Sequence, residues 1–93
     1  MSFLYSTVPG DCQPGNGASY RGTVSVTKTG KPCQRWDSQT PRTHNFPPAD
    51  YPSSGLEQNY CRNPDLHSDG VWCYTTYGGP KWELCDVPIC GKV

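Results

Sequence analysis

The residues best suited to recognising a ligand lie between Cys61 and Cys85. Trp72 and Tyr74 flank Cys73, and Trp82 follows after Tyr77-Gly78-Gly79-Pro80. Residues two apart in a strand share a face, so Trp72 and Tyr74 project together. A strand returning across the Gly78-Gly79 turn brings Trp82 beside them as a third wall. Asp65 and Asp69 precede this hairpin, and Lys81 directly precedes Trp82. Aromatic walls with anions at one end and a cation at the other suit an extended zwitterion. The walls take methylenes and part of an ammonium's charge, and the carboxylates take the ammonium itself. A lysine side chain, above all one at a protein's C-terminus, has that shape. The competing reading is that the three aromatics are simply core, as expected of Tyr20, Trp36 and Leu56.

Catalysis finds no comparable constellation. Serines, two histidines and aspartates occur, but no nucleophile elbow or His-Glu-x-x-His run frames them. The carboxylates are scattered with no pattern that would split their proton affinities. Six cysteines held in disulfides leave no thiol nucleophile. The expectation is a chain that is not an enzyme and needs no cofactor.

The elements that must hold these side chains are short. The chain has 93 residues, a third of them hydrophobic, with ten Gly and ten Pro. A domain of that size and composition has trouble burying enough apolar surface to fold unaided. Cys12, Cys33, Cys61, Cys73, Cys85 and Cys90 replace part of the missing core if the compartment is oxidising. No two of them form a CxxC knuckle, and His44 and His67 complete no zinc pattern, so no metal is expected. Six cysteines allow 15 pairings, and the residues alone select none. A bond closing most of the chain, such as Cys12 to Cys90, would stabilise most, by about 4–5 kcal/mol in the loop-entropy model.

Gly22–Thr27 alternates and is rich in β-branched residues, which predicts a short strand ending at the Thr29-Gly30 turn. Asp37–Pro52 carries Pro41, Pro47, Pro48 and Pro52 and reads as a rigid loop. Trp72–Thr75 and Lys81–Leu84 read as an antiparallel pair. No helix longer than a turn is expected. The fold class is small, disulfide-rich and loop-dominated, with short antiparallel β pieces.

The net charge is zero, but it divides. Residues 1–45 carry five cations (Arg21, Lys28, Lys31, Arg35 and Arg42) against Asp11 and Asp37, giving +3, and residues 46–93 carry three cations against six anions, giving −3. The simpler reading is a solvated surface of mixed sign; the sharper one is that one face suits anions and another cations. A zero total argues against nucleic acid as the partner. No apolar run approaches a membrane span, and the first residues do not resemble a signal peptide. Residues 1–11 read as a linker or as residues added ahead of the domain, and 91–93 as a trailing linker. The cysteine set then implies a module of a larger secreted protein, or of the extracellular part of a membrane protein.

The chain from Cys12 to Cys90 resembles a kringle domain. Tyr20-Arg21-Gly22-Thr23, Gly30, Cys33-Gln34 and Trp36 match the first half of that family. Leu56, Asn59-Tyr60-Cys61-Arg62-Asn63-Pro64-Asp65, Trp72-Cys73-Tyr74 and Cys85-Asp86-Val87-Pro88-x-Cys90 match the second. Tyr60-Cys61-Arg62-Asn63, eight residues, then Trp72-Cys73 is the family signature. The resemblance implies the pairing Cys12–Cys90, Cys33–Cys73 and Cys61–Cys85, a structural role for His44, and a monomeric module.

It also implies a ligand site. Lysine-binding members of the family use an Asp-x-Asp anionic centre, an aromatic trough and a cationic centre. Asp65 matches the first Asp, Trp72, Tyr74 and Trp82 match the walls, and Lys81 matches a cation. This chain departs from the pattern at His67, where the second Asp is expected, and at Phe46, where some relatives carry another cation. Losing one of two carboxylates should cost about 1–3 kcal/mol at an ammonium site. Asp69 would compensate from two residues on, or His67 would repel the ammonium when protonated. Three partner classes follow: proteins bearing lysine, protein surfaces read without lysine, as the Tyr20–Lys28 stretch resembles in growth-factor and receptor kringles, and a heparin-like polysaccharide on the positive half.

Overall fold

The computed structural model describes residues 12–91. The expected linker 1–11 and residues 92–93 of the trailing linker lie outside the described residues. The three disulfides are Cys12–Cys90, Cys33–Cys73 and Cys61–Cys85. The inner two lie against each other, with Cys33 Sγ 3.7 Å from Cys61 Sγ. Their four sulfurs fall within 4.8 Å of one another. Paired as disulfides they have no thiolate to offer a metal.

Strand β1 (Trp72–Tyr74) and strand β2 (Trp82–Leu84) pair antiparallel, with Trp72 opposite Leu84 and Tyr74 opposite Trp82. Gly78 and Gly79 make the turn at φ values of 51° and 61°, a left-handed region open to glycine at little cost. Arg42 staples the turn from outside. Its Nη2 donates to Thr75 Oγ1 at 3.0 Å and Gly78 O at 3.2 Å, and its Nε donates to Thr75 O at 3.2 Å. Below the strands, Thr29 Oγ1 donates to Glu83 at 2.8 Å and Lys31 lies 3.7 Å from the same carboxylate. The hydroxyls of Thr27 and Thr29, with Lys31 behind them, hold the Glu83 carboxyl below the usual carboxylate range.

Gly22–Thr27 does not form the expected strand. Val26 bridges Pro32 alone, while Ser25 O accepts from Cys33 N and Val24 O from Cys61 N. Thr27 N donates to Lys31 O and Cys33 N to Ser25 O, bracketing the Val26–Pro32 pair. Beyond it the two segments part: Gln34 N donates to Tyr74 O and Val24 O accepts from Cys61 N, so the ladder stops after one pair. The turn at its end is as expected: Gly30 N donates to Thr27 O at 2.8 Å with Gly30 at φ 87°. The proline-rich loop contains one 3-10 turn, Pro48–Asp50. Gln34 pins that loop, donating to Ser38 O and Arg42 O and accepting from Arg42 N.

Tyr20, Trp36 and Leu56 are buried as expected, with Val71, Val87, β1 and the inner disulfides around them. Trp36 meets Trp72 edge-on at 5.3 Å and donates its Nε1–H to Tyr60 O at 2.7 Å. Gln13 joins the two ends of the fold: its backbone bonds Pro88 and Cys90, and its side chain bonds Val87 O and Val71 N.

Arg62 is a core residue that sequence reasoning did not single out. It is 1% exposed, donates to Gly55 O, Gly22 O and Cys61 O, and lies near the rings of Tyr20 and Tyr60. Burial, then the nearby Arg21, lowers its proton affinity, yet a guanidinium stays charged in proteins. Carbonyl dipoles and ring faces compensate it in place of a carboxylate.

Candidate functional site

The segment after Cys61 builds one side of a cavity. Buried Asn63 grips its own chain four residues on: His67 N donates to Asn63 Oδ1 at 2.7 Å, and Asn63 Nδ2 donates to His67 O at 2.9 Å. Between them Leu66 adopts φ 57° and stands 66% exposed. That left-handed residue turns the leucine to solvent, while both its neighbours, Asp65 and His67, line the cavity. A non-glycine residue there carries a conformational cost, so the loop is held by its bonds rather than by backbone preference.

The hairpin supplies the opposite walls. Trp72, Tyr74 and Trp82 line the cavity with Phe46, and its volume is about 150 Å³. Trp72 lies 5.1 Å from Tyr74 and 5.8 Å from Trp82 between ring centroids. Trp72 and Tyr74 are also core residues, whereas Trp82 is 41% exposed. The core reading and the wall reading are therefore both true of the β1 pair. The pinned loop brings up Phe46, which meets Trp72 edge-on and Tyr51 at a tilt. His44 stacks on Tyr74 at 4.9 Å with its Nδ1 accepting from Phe46 N and its other nitrogen bonding Ser38 O, in keeping with a structural role.

The electrostatics centre on Asp65. Its carboxylate is exposed and accepts one bond, from Trp72 Nε1 at 3.0 Å. Burial and then the charge of Asp65 raise the proton affinity of the Tyr74 phenol above its usual range, so it stays neutral. Lys81 is not among the lining residues, but its Nζ stands over the Tyr74 ring 5.8 Å from the centroid. Asp69 is exposed and also outside the lining, and its backbone N–H donates to His67 Nδ1 at 3.1 Å. His67 packs against Trp82 at 5.1 Å. Of the eight residues singled out for the site, the fold gathers Phe46, Asp65, His67, Trp72, Tyr74 and Trp82 into one cavity. Lys81 sits at its edge, and Asp69 reaches it only through the His67 ring.

Four of the five cations of the first half have partners within the fold. Arg21 bonds Ala18 O, Tyr20 O and Ser53 O, Arg35 pairs with Asp37 at 3.0 Å, Lys31 faces Glu83 and Arg42 staples the hairpin. Lys28 is exposed and its ammonium has no partner among the described residues.

Two abutting inner disulfides, a third that joins the ends of the domain, a two-stranded hairpin and an aromatic cavity on its face define a kringle. The kringle domain model matches residues 12–90, and the chain belongs to that family. It is 50% identical over 82 residues to plasminogen of Capra hircus, a match covering 88% of this chain. The chain spans 66% of the length of that relative.

Proposed function

We propose that this kringle is a non-catalytic, extracellular protein-binding module whose cavity takes the ammonium of a lysine side chain, weakly. The carrying observation is Asp65: a carboxylate with a single hydrogen bond, at a cavity walled by Trp72, Tyr74, Trp82 and Phe46 with no cation in the lining. A carboxylate can accept several hydrogen bonds, so this one keeps capacity for a ligand's N–H groups. The rings take the methylenes and part of the charge. Phe46 and His67 bring no second anion and no second cation, so the affinity falls below that of a site with paired carboxylates. Lys81 beside Tyr74 offers a ligand carboxylate its counter-charge, which favours a C-terminal lysine.

The disulfide frame suits an oxidising compartment, either secreted or on the outer part of a membrane protein. No helix of the described residues is long and apolar enough to cross a membrane. A second reading, recognition of protein surface without lysine, draws on exposed Leu66 beside the cavity. The heparin reading is not carried forward, because two of its five cations, Lys31 and Arg35, are already paired with carboxylates.

Titration with 6-aminohexanoic acid and with Nα-acetyl-lysine amide, followed by tryptophan fluorescence, tests the proposal. Saturable change with tighter binding of the first ligand supports it. No change with either at millimolar concentration rejects lysine recognition and leaves the second reading.

A further inference from the structure

We propose that His67 gates this cavity by pH, admitting an ammonium ligand when its ring is neutral and rejecting it when the ring is protonated; this rests on the ammonium reading of the cavity. The ring is a built part of the lining. Asn63 fixes its backbone from both sides. The Asp69 N–H, which can only donate, fixes its Nδ1 as an acceptor. Neutral imidazole then carries its proton on Nε2. A second proton must go to Nδ1, where it meets the Asp69 N–H. Protonation therefore breaks that bond and turns the ring as well as charging it.

The charged and titratable surroundings of His67 are few. Its own loop carries Asp65 in the lining and Asp69 outside it. Strand β2 presents Trp82, and the proline-rich loop presents Phe46, both uncharged. Strand β1 presents Trp72 and the Tyr74 phenol, which stays neutral. Lys81 stands beyond Tyr74. With neutral His67 the lining carries the one charge of Asp65; with protonated His67 it carries none in sum. The new cation shares the cavity with any bound ammonium, and two like charges a few ångströms apart in a partly desolvated site repel. Imidazole is the side chain that changes charge between about pH 8 and pH 5, the range in which neutral surfaces and acidified compartments differ.

The test uses the 93-residue chain and n-butylammonium, a cation whose charge is constant across this range, by calorimetric titration at fixed ionic strength. Affinity is expected to be roughly tenfold or more higher at about pH 8 than at about pH 5. His67→Gln is expected to flatten that ratio whatever its absolute affinity, and His67→Asp to bind more tightly at both. In the free wild-type protein the Asp69 amide resonance should move with pH as its bond to Nδ1 is lost. Equal wild-type affinities at the two pH values, an unchanged ratio in His67→Gln, or an Asp69 amide indifferent to pH would overturn the gate alone. No binding by the wild type or by His67→Asp at either pH would overturn the ammonium reading and the gate with it.

Discussion

Arg62 and Asp65 lie three residues apart in one segment, and the fold treats their charges in opposite ways. Arg62 is sealed in the core, with three carbonyls and two tyrosine rings arranged around it. Asp65 is exposed at a cavity with one indole N–H. A charge whose hydrogen-bonding capacity is filled by its own chain acts in the fold. A charge left with open acceptor positions beside aromatic walls is equipped for a ligand. The same contrast sorts the cations of the first half: Arg21 and Arg42 serve neighbouring carbonyls and act as staples.

The contrast breaks most visibly at Arg62. Arg62→Leu leaves the carbonyls of Gly55, Gly22 and Cys61 short of a donor in a buried place, and should cost about 3–5 kcal/mol, read as a lower urea midpoint. Arg62→Lys should recover little, since an ammonium cannot span the same fork of acceptors. A loss below about 1 kcal/mol would show that water, rather than the chain, satisfies this charge.

Asp65→Asn is the converse. The amide oxygen can still accept from Trp72 Nε1, so stability should stay within about 0.5 kcal/mol. Amine binding should fall tenfold or more with the lost charge, by the same titration that tests the wild type. Unfolding of this variant would make Asp65 a structural residue and erase the distinction from Arg62.

A smaller effect sharpens the cavity side. Leu66→Asn keeps the left-handed turn in a residue that tolerates it, and should raise stability by about 0.5–1 kcal/mol in thermal melts without moving Asp65 or His67. A destabilised variant would mean that the exposed leucine has packing that stabilises the loop.

The smallest effect concerns pH. The Glu83 carboxyl is held lower in the fold than when unfolded. Its contribution to stability is complete above the unfolded carboxylate range and is lost as pH falls through the lower folded value. Glu83→Gln should therefore lessen the acid sensitivity of the melting temperature; an unchanged profile would remove Glu83 from the account.

The hairpin was legible because local chemistry writes it: consecutive glycines demand a turn and alternating aromatics demand a shared face. The Gly22–Thr27 strand was misread because alternation records side-chain facing, while a ladder needs one partner throughout, and here Val24 O bonds Cys61 N while Gln34 N turns to Tyr74 O. The disulfide pairing was invisible to spacing and came through the resemblance carried by the Tyr60–Cys73 signature. The burial of Arg62 left no local trace, since it depends on the Gly22 carbonyl and the Tyr20 ring, about 40 residues away in sequence. Asp65, Trp72, Tyr74 and Trp82 were named as site residues because opposite charges flank the hairpin. The arrival of Phe46 as a wall depends on how Gln34 and Arg42 pin a loop, a long-range matter that composition does not encode.

The central claim is that an ammonium ligand reaches Asp65 between the hairpin indoles. Titration of 15N-labelled protein with 6-aminohexanoic acid reads it through the three indole N–H resonances. Trp72 donates to Asp65 and Trp82 walls the cavity, whereas Trp36 is sealed in the core and bonded to Tyr60 O. The account predicts saturable shifts of Trp72 and Trp82 with Trp36 stationary. Three silent indoles at millimolar ligand, or a shift of Trp36 in step with the other two, would contradict it.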